Sequence, residues 1–326
     1  MKRSFGFLFA LVLALGLTVP ALAQDATPAA EPAPPFVTAS GLGLSEFDIT
    51  VTDEGFDLPS SIPAGRYLIN AAINTSMPSA ASFFMIPDGM TFADVQADFA
   101  AGTESADSLT WLYHTTVAGG AMGAPGTVAQ AVIDLPPGNW VVWADDPGSA
   151  IPMAEVQVTG AMPDTLRVIT PTVTITATSN DTGYDFAVDG DVVAGPQLVE
   201  FYNKTDQPHF VAALVSPVAL NDEQFMGLLM MEDGATPLPD SGIPSLDEIQ
   251  FSPSGITTIS AGVKIWAVVD FMSGHNIITC FVTDPNSPEM APHAAEGMFA
   301  QIDVPSRLRA RLAYTGVHAS IVSSGP

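Results

Sequence analysis

Ala124-Pro-Gly-Thr-Val-Ala-Gln-Ala-Val-Ile-Asp-Leu-Pro-Pro-Gly-Asn139 reads as a turn, a strand and a second turn, and the chain carries it twice. Without a gap it lines up on Ala261-Gly-Val-Lys-Ile-Trp-Ala-Val-Val-Asp-Phe-Met-Ser-Gly274, with Gly126 on Gly262, Asp134 on Asp270 and Gly138 on Gly274. Val128–Leu135 and Val263–Phe271 have strand composition. Each then passes through a Gly-containing turn into a further apolar run, Trp140–Trp143 or Ile277–Val282. Two apolar runs joined by a short turn are the unit of an antiparallel sheet.

The correspondence extends in both directions. In the first copy Phe47–Thr52 is a strand, Gly55-Phe56 a turn and Arg66–Ile73 a second strand. In the second, Thr172–Thr178, Tyr184–Val188 and Gln197–Tyr202 take these places. Both copies then change period. Thr91-Phe-Ala-Asp94 and Asn221-Asp-Glu-Gln224 are capping boxes. Phe92, Val95 and Phe99 follow one box and Phe225, Leu228 and Leu229 the other, at helical spacing. A polar stretch follows each helix, and Ala154–Val158 and Phe299–Val304 are closing strands. The pattern predicts an all-β chain of two tandem Greek-key β-sandwich domains, residues 40–160 and 167–305, each with one inserted helix. Gly160–Leu166 is the linker.

The ends read differently. Lys2 and Arg3, the apolar run Phe5–Val19 and the small residues Ala21-Leu22-Ala23 form a cleavable export signal over residues 1–23. A Pro/Ala-rich tether over 24–39 and a flexible tail over 306–326 flank the domains. The expected location is secreted or extracytoplasmic, with no stable membrane span once the signal is removed. Leu312-Ala-Tyr-Thr-Gly316 looks like a cell-wall sorting pentapeptide, but no apolar helix follows it; chance or a truncated anchor explains it better.

Between residues 24 and 306 only Arg66, Arg167, Lys204 and Lys264 stand against 35 acids. Such a surface repels phosphate backbones, which excludes nucleic acid as a partner. Two readings of the acidity remain: adaptation of an extracellular surface, or steering of a basic redox partner.

The copies differ in a few chemically important residues. Ala144 falls on Cys280, the single cysteine of the chain. Asn74-Thr-Ser-Met-Pro-Ser79 lines up on Asn203-Lys-Thr-Asp-Gln-Pro-His209 with one inserted residue, so Ser79 falls on His209. His293 and Met298 follow the cysteine. His209, Cys280, His293 and Met298, in that order, form the ligand set of a mononuclear copper site: thiolate and thioether sulfur suit Cu(I), and imidazole suits both oxidation states. Taken singly, each residue has an ordinary reading. Cys280 is a small buried hydrophobe, His209 a strand-end histidine, His293 a loop residue and Met298 core. The Met226, Met230 and Met231 group reads as packing, and His275 as a surface residue or spare ligand.

Together these residues resemble the cupredoxins, the type 1 copper proteins. Asn203-Lys-Thr-Asp-Gln-Pro-His209-Phe is similar to the family's first histidine strand. Ser273-Gly274 with Ile277–Cys280 is similar to the strand ending at the ligand cysteine, and His293-Ala-Ala-Glu-Gly-Met298 to the His-x4-Met loop. The resemblance implies cupredoxin-like domains. It places His209, Cys280 and His293 in a trigonal plane, with Met298 as a weak axial contact to copper. The first domain, with Ser79 and Ala144, is expected to bind none. Twelve residues, Phe281 to Pro292, separate Cys280 from His293, more than the family usually has. That insert either arches outward from its two ends or carries His293 out of reach. The functional reading is copper binding or electron transfer; the alternative is a metal-free surface module of degenerate domains. A tandem-domain copper oxidase or reductase needs further histidines, usually as His-x-His or beside the cysteine. The five here are scattered, so the sequence predicts a protein that is not an enzyme.

Overall fold

A computed structural model describes residues 39–306, except 102–109, 145–151, 182, 232–240, 253 and 284–290. The export signal, nearly all of the tether, and the tail beyond Ser306 lie outside the described residues. The first repeat supplies β1 (Ser45–Thr52), β2 (Gly55–Asp57), β3 (Ser61–Pro63), β4 (Gly65–Asn74), β5 (Ser79–Met85), β6 (Val117–Gly123), β7 (Val128–Leu135), β8 (Gly138–Trp143) and β9 (Met153–Thr159). The second supplies β10 (Val173–Asn180), β11 (Gly183–Asp189), β12 (Gly195–Asn203), β13 (His209–Ser216), β14 (Gln250–Phe251), β15 (Gly255–Ile259), β16 (Lys264–Phe271), β17 (Gly274–Thr279) and β18 (Phe299–Val304). Helices α1 (Phe92–Ala100) and α2 (Asp222–Leu229) stand between β5 and β6 and between β13 and β14.

The strands form two layers, and both layers run through both repeats. One sheet has the order β11-β10-β12-β16-β7-β4-β1-β2. The other has β18-β17-β13-β15-β6-β5-β8-β9-β3, with β14 beside β13. Read outward from the middle, each half repeats the other. Antiparallel pairs β7–β16 and β6–β15 join the halves. Ala131 pairs with Ala267, its own counterpart in the repeat, so a local two-fold passes through that pair. The repeats are therefore edge-to-edge halves of one continuous β-sandwich, and each covers the other's open sheet edges.

Side-chain alternation explains the layers. Phe47, Ile49 and Val51 of β1 and Val173, Ile175 and Ala177 of β10 point inward and are buried. A single core cluster runs from Phe47 to Val304 and includes Cys280 and Met298. On the outer face of the ten-stranded sheet, α1 packs over Phe84, Val141 and Trp143, and α2 over Leu214 and Ile277. Trp140 and Trp143 face opposite sides of β8, as the two valines between them require. Both predicted capping boxes are present, with Thr91 bonded to Asp94 and Asn221 to Gln224.

Three details correct the sequence reading. Gly55 and Phe56 begin β2, and the reversal sits at Asp53-Glu54, where Thr52 Oγ1 bonds Gly55. Ala39 ends the tether early: it is buried, and its N–H donates to Gln130 Oε1. The stretch read as polar and irregular after each helix contains β6 and β15, the strands that join the repeats. Composition hides the first of them, since β6 is Val-Ala-Gly-Gly-Ala-Met-Gly. Contact demands those glycines. Gly119 has φ +79°, and a Cβ there would lie 2.5 Å from Ile259 Cγ2. At Gly120 it would lie 1.9 Å from the Ala81 carbonyl oxygen.

Candidate metal centre

His209 is the first residue of β13, at the end of a loop that Asn203 organises from within. The Asn203 side chain is fully buried. Its amide donates to the carbonyls of Gln207 and Ile259, and its Oδ1 accepts from the N–H and hydroxyl of Thr205. An asparagine reaches four partners this way and leaves no buried polar atom unpaired. Cys280 follows the end of β17. His293 opens a 3-10 turn, His293–Glu296, which Gly297 ends at φ 101°, and Met298 leads into β18.

These elements bring the predicted residues together. Cys280 Sγ lies 3.6 Å from His209 Nδ1 and 3.8 Å from His293 Nδ1. All three donor atoms fall within 4.8 Å of one another. Imidazole and thiolate bonds of ~2.0 and ~2.3 Å to one first-row ion put N and S about 3.5–3.7 Å apart. The two sulfur-to-nitrogen separations match that spacing. His209, Cys280, His293 and Met298 are all fully buried. Met298 joins the two arms through its backbone: its N–H donates to the His293 carbonyl, and its own carbonyl accepts from Cys280 N–H and Thr279 Oγ1.

The long insert does not separate its ends. His293 N–H donates to the Val282 carbonyl, Ala294 N–H to the Cys280 carbonyl, and Thr283 pairs with Pro292 across the base. The loop is pinched where it leaves the sheet, so its length has no bearing on where His293 sits. Residues 284–290 lie outside the described residues.

The remaining ring nitrogens are also engaged. His209 Nε2 is 2.8 Å from Thr205 Oγ1, and His293 Nε2 is 2.9 Å from Gln207 Oε1. An amide oxygen only accepts, so His293 carries its proton on Nε2. Thr205 gives its hydroxyl proton to Asn203 or to the Gln207 carbonyl, which leaves an oxygen lone pair for His209 Nε2–H. Both rings thereby turn Nδ1 toward the thiol, the arrangement that outer-shell partners impose on metal-binding histidines. Burial, and then the neighbouring His293, depress the His209 pKa from 6.5 to about 2, so the ring is neutral and able to ligate.

Sequence reasoning missed the supporting residues. Thr205 and Gln207 stand inside the quoted histidine motif, and the inserted position in the second copy was the available signal. Tyr184 of β11 was not singled out. Its ring centroid lies 4.8 Å from those of His209 and His293, and its hydroxyl donates to Asp206 at 2.9 Å. His275, the spare candidate, is instead paired at the surface with Asp303. In the methionine group Met230 is exposed, and Met231 packs beneath α2.

No family model matches the chain, and no curated protein does. Solved structures similar to it include a multicopper oxidase variant from Aquifex aeolicus, at 11% identity and a TM-score of 0.22, covering 82% of this chain and 68% of that one. A multicopper oxidase from Pediococcus acidilactici is 12% identical with a TM-score of 0.23 over 81% of this chain. This chain spans 60% of that oxidase's length. A blue copper oxidase from Nitrosomonas europaea is 11% identical, with a TM-score of 0.22, over 80% of this chain and 86% of that one. One expectation is corrected here. The histidine count predicted a protein that is not an enzyme, but the solved structures similar to this chain are oxidases, and that exclusion is withdrawn.

Proposed function

We propose that the second repeat binds one copper ion, which His209 Nδ1, Cys280 Sγ and His293 Nδ1 would hold with the Met298 thioether as a fourth candidate ligand, and passes single electrons. The carrying observation is the convergence of two imidazoles and one thiol in a fully buried pocket, with both outer ring nitrogens already bonded. Copper supplies a centre that gains and loses one electron. The chain supplies a ligand set on strand ends and a pinched loop, which moves little as the charge changes, and a core that excludes water. Export to an extracytoplasmic compartment and a basic redox partner steered by the acidic surface belong to the same proposal.

Titrating the mature protein with Cu(II) and recording visible absorption tests this reading. The expected result is one equivalent bound with an intense thiolate-to-copper band. Saturating copper without that band would overturn it and leave the metal-free surface module as the better reading.

A further inference from the structure

Both ligand arms of the second repeat are tied to one short segment of the first. On the His293 arm, Tyr113 Oη donates to the Thr283 carbonyl at 2.8 Å, at the base of the pinched loop. On the His209 arm the anchor is Ser260. Its hydroxyl donates to the Thr115 carbonyl and accepts from Val117 N–H, both at 2.8 Å, and its own N–H donates to the Val117 carbonyl. The residue before it, Ile259, pairs with His209 across the sheet and accepts from the Asn203 amide. Gly119 lets the first repeat close onto the Ile259 side chain, where any Cβ would collide.

We propose that residues 113–117 of the first repeat brace both ligand arms of the second, so that the site is completed by the repeat that lacks the ligands. As a statement about copper this rests on the reading above. As a statement about the His209, Cys280 and His293 cluster it can be tested without metal. Tyr113 and Ser260 are positioning residues: they hold the ends of the segments that carry the ligands, through the backbone groups named above.

The test uses the full chain with Tyr113→Phe, Ser260→Ala and the conservative Ser260→Thr. Ser82→Ala serves as control, because it cuts a different buried bond between the repeats, Thr257 Oγ1 to Ser82 Oγ, which ends on β15 short of Ile259 and Ser260. Amide hydrogen exchange is measured on metal-free protein well below its melting temperature. Tyr113→Phe should speed exchange at His293 and Ala294 by on the order of fivefold, the effect of one lost hydrogen bond. Ser260→Ala should do the same at Thr205 and Gln207, Ser260→Thr should restore protection, and Ser82→Ala should leave all four amides as they were. In copper-loaded protein the first two variants should shift the thiolate band, and Ser82→Ala should not. Unchanged exchange at the four amides, or equal changes in the control, would overturn the brace. A wild-type protein without the band would overturn the copper reading alone, and the exchange data would still decide the brace.

Discussion

Residues 74–79 and 203–209 occupy the same place in the two repeats, and their interiors have almost nothing in common. In the first, Asn74 is exposed, Thr75 donates to the Met77 carbonyl, Ser76 bonds Asp53, and Met77 is 41% exposed. In the second, Asn203, Thr205 and Gln207 are buried and bonded to one another, and two of them end on ligand-histidine nitrogens. Buried polar groups are costly unless paired, so such a network is stable only while the histidines are there to complete it. The first repeat lacks the ligands and the inward-facing network alike, and keeps the fold. Ligands and their supporting groups form one unit, and the sandwich does not depend on it.

The largest expected effect comes from Cys280→Ser, which exchanges sulfur for oxygen in a fully buried position of nearly the same shape. The thiolate band should vanish altogether, and specific copper uptake should fall from one equivalent to none, with far-UV circular dichroism unchanged. This sharpens the contrast between the repeats. If Cys280→Ser still takes up one tight equivalent, the first repeat or the acidic surface binds copper and the assignment to the second repeat fails.

Next in size is Gln207→Met, which installs the residue that the first repeat has at the matching position. His293 Nε2–H then loses its acceptor inside a dry pocket. Loss of an outer-shell partner lowers metal affinity by about 10–100-fold, and competition with a chelator of known affinity measures it. Unchanged affinity would mean that the Gln207 bond is incidental to the site.

The repeats should also differ in their response to acid. His209 is held neutral with a pKa of about 2, whereas the unfolded chain binds a proton near 6.5. Between those values the unfolded state binds more protons, so stability is highest above 6.5 and falls as pH drops toward 2. The slope for one such group is about 1.4 kcal/mol per pH unit. The described histidine of the first repeat, His114, is exposed. Chemical denaturation of metal-free protein from pH 7 to 4.5, compared with His209→Gln, isolates this term. Parallel pH profiles for the two proteins would sink it.

How legible this was in the sequence depended on the kind of signal. The strands of half-buried alternation, the two capped helices and the four candidate ligands could be read because period, caps and residue chemistry are local properties. The seam could not. Strand β6 approaches the second repeat through glycines and small residues, which carry no strand signature on their own, and its pairing with β15 is a long-range fact. The position of His293 was open for a similar reason. Loop length is visible in sequence, but the bonds at its base, His293 to Val282 and Thr283 to Pro292, are long-range facts. Tyr184 was invisible as a site residue because its role comes from β11 lying beside the ligand turn.

The smallest effect is expected at Tyr184, and it probes whether the repeats differ there in chemistry or only in shape. Counting from the shared glycines, Gly55 and Gly183, Phe56 holds the place of Tyr184. Tyr184→Phe therefore gives the second repeat the residue of the first. The ring is kept, and with it the edge contacts to His209 and His293; the hydroxyl bond to the exposed Asp206 is lost. A neutral donor on an exposed carboxylate contributes little beyond what water would supply, so stability should change by no more than about 1 kcal/mol. The copper band and affinity should stay at wild-type values. Tyr184→Ala, which removes the ring, should instead open the two imidazoles to solvent and change the band. If Tyr184→Phe alters the band as much as Tyr184→Ala, the hydroxyl and Asp206 act on the ligands electrostatically, and the ring's cover is not what distinguishes this position from Phe56.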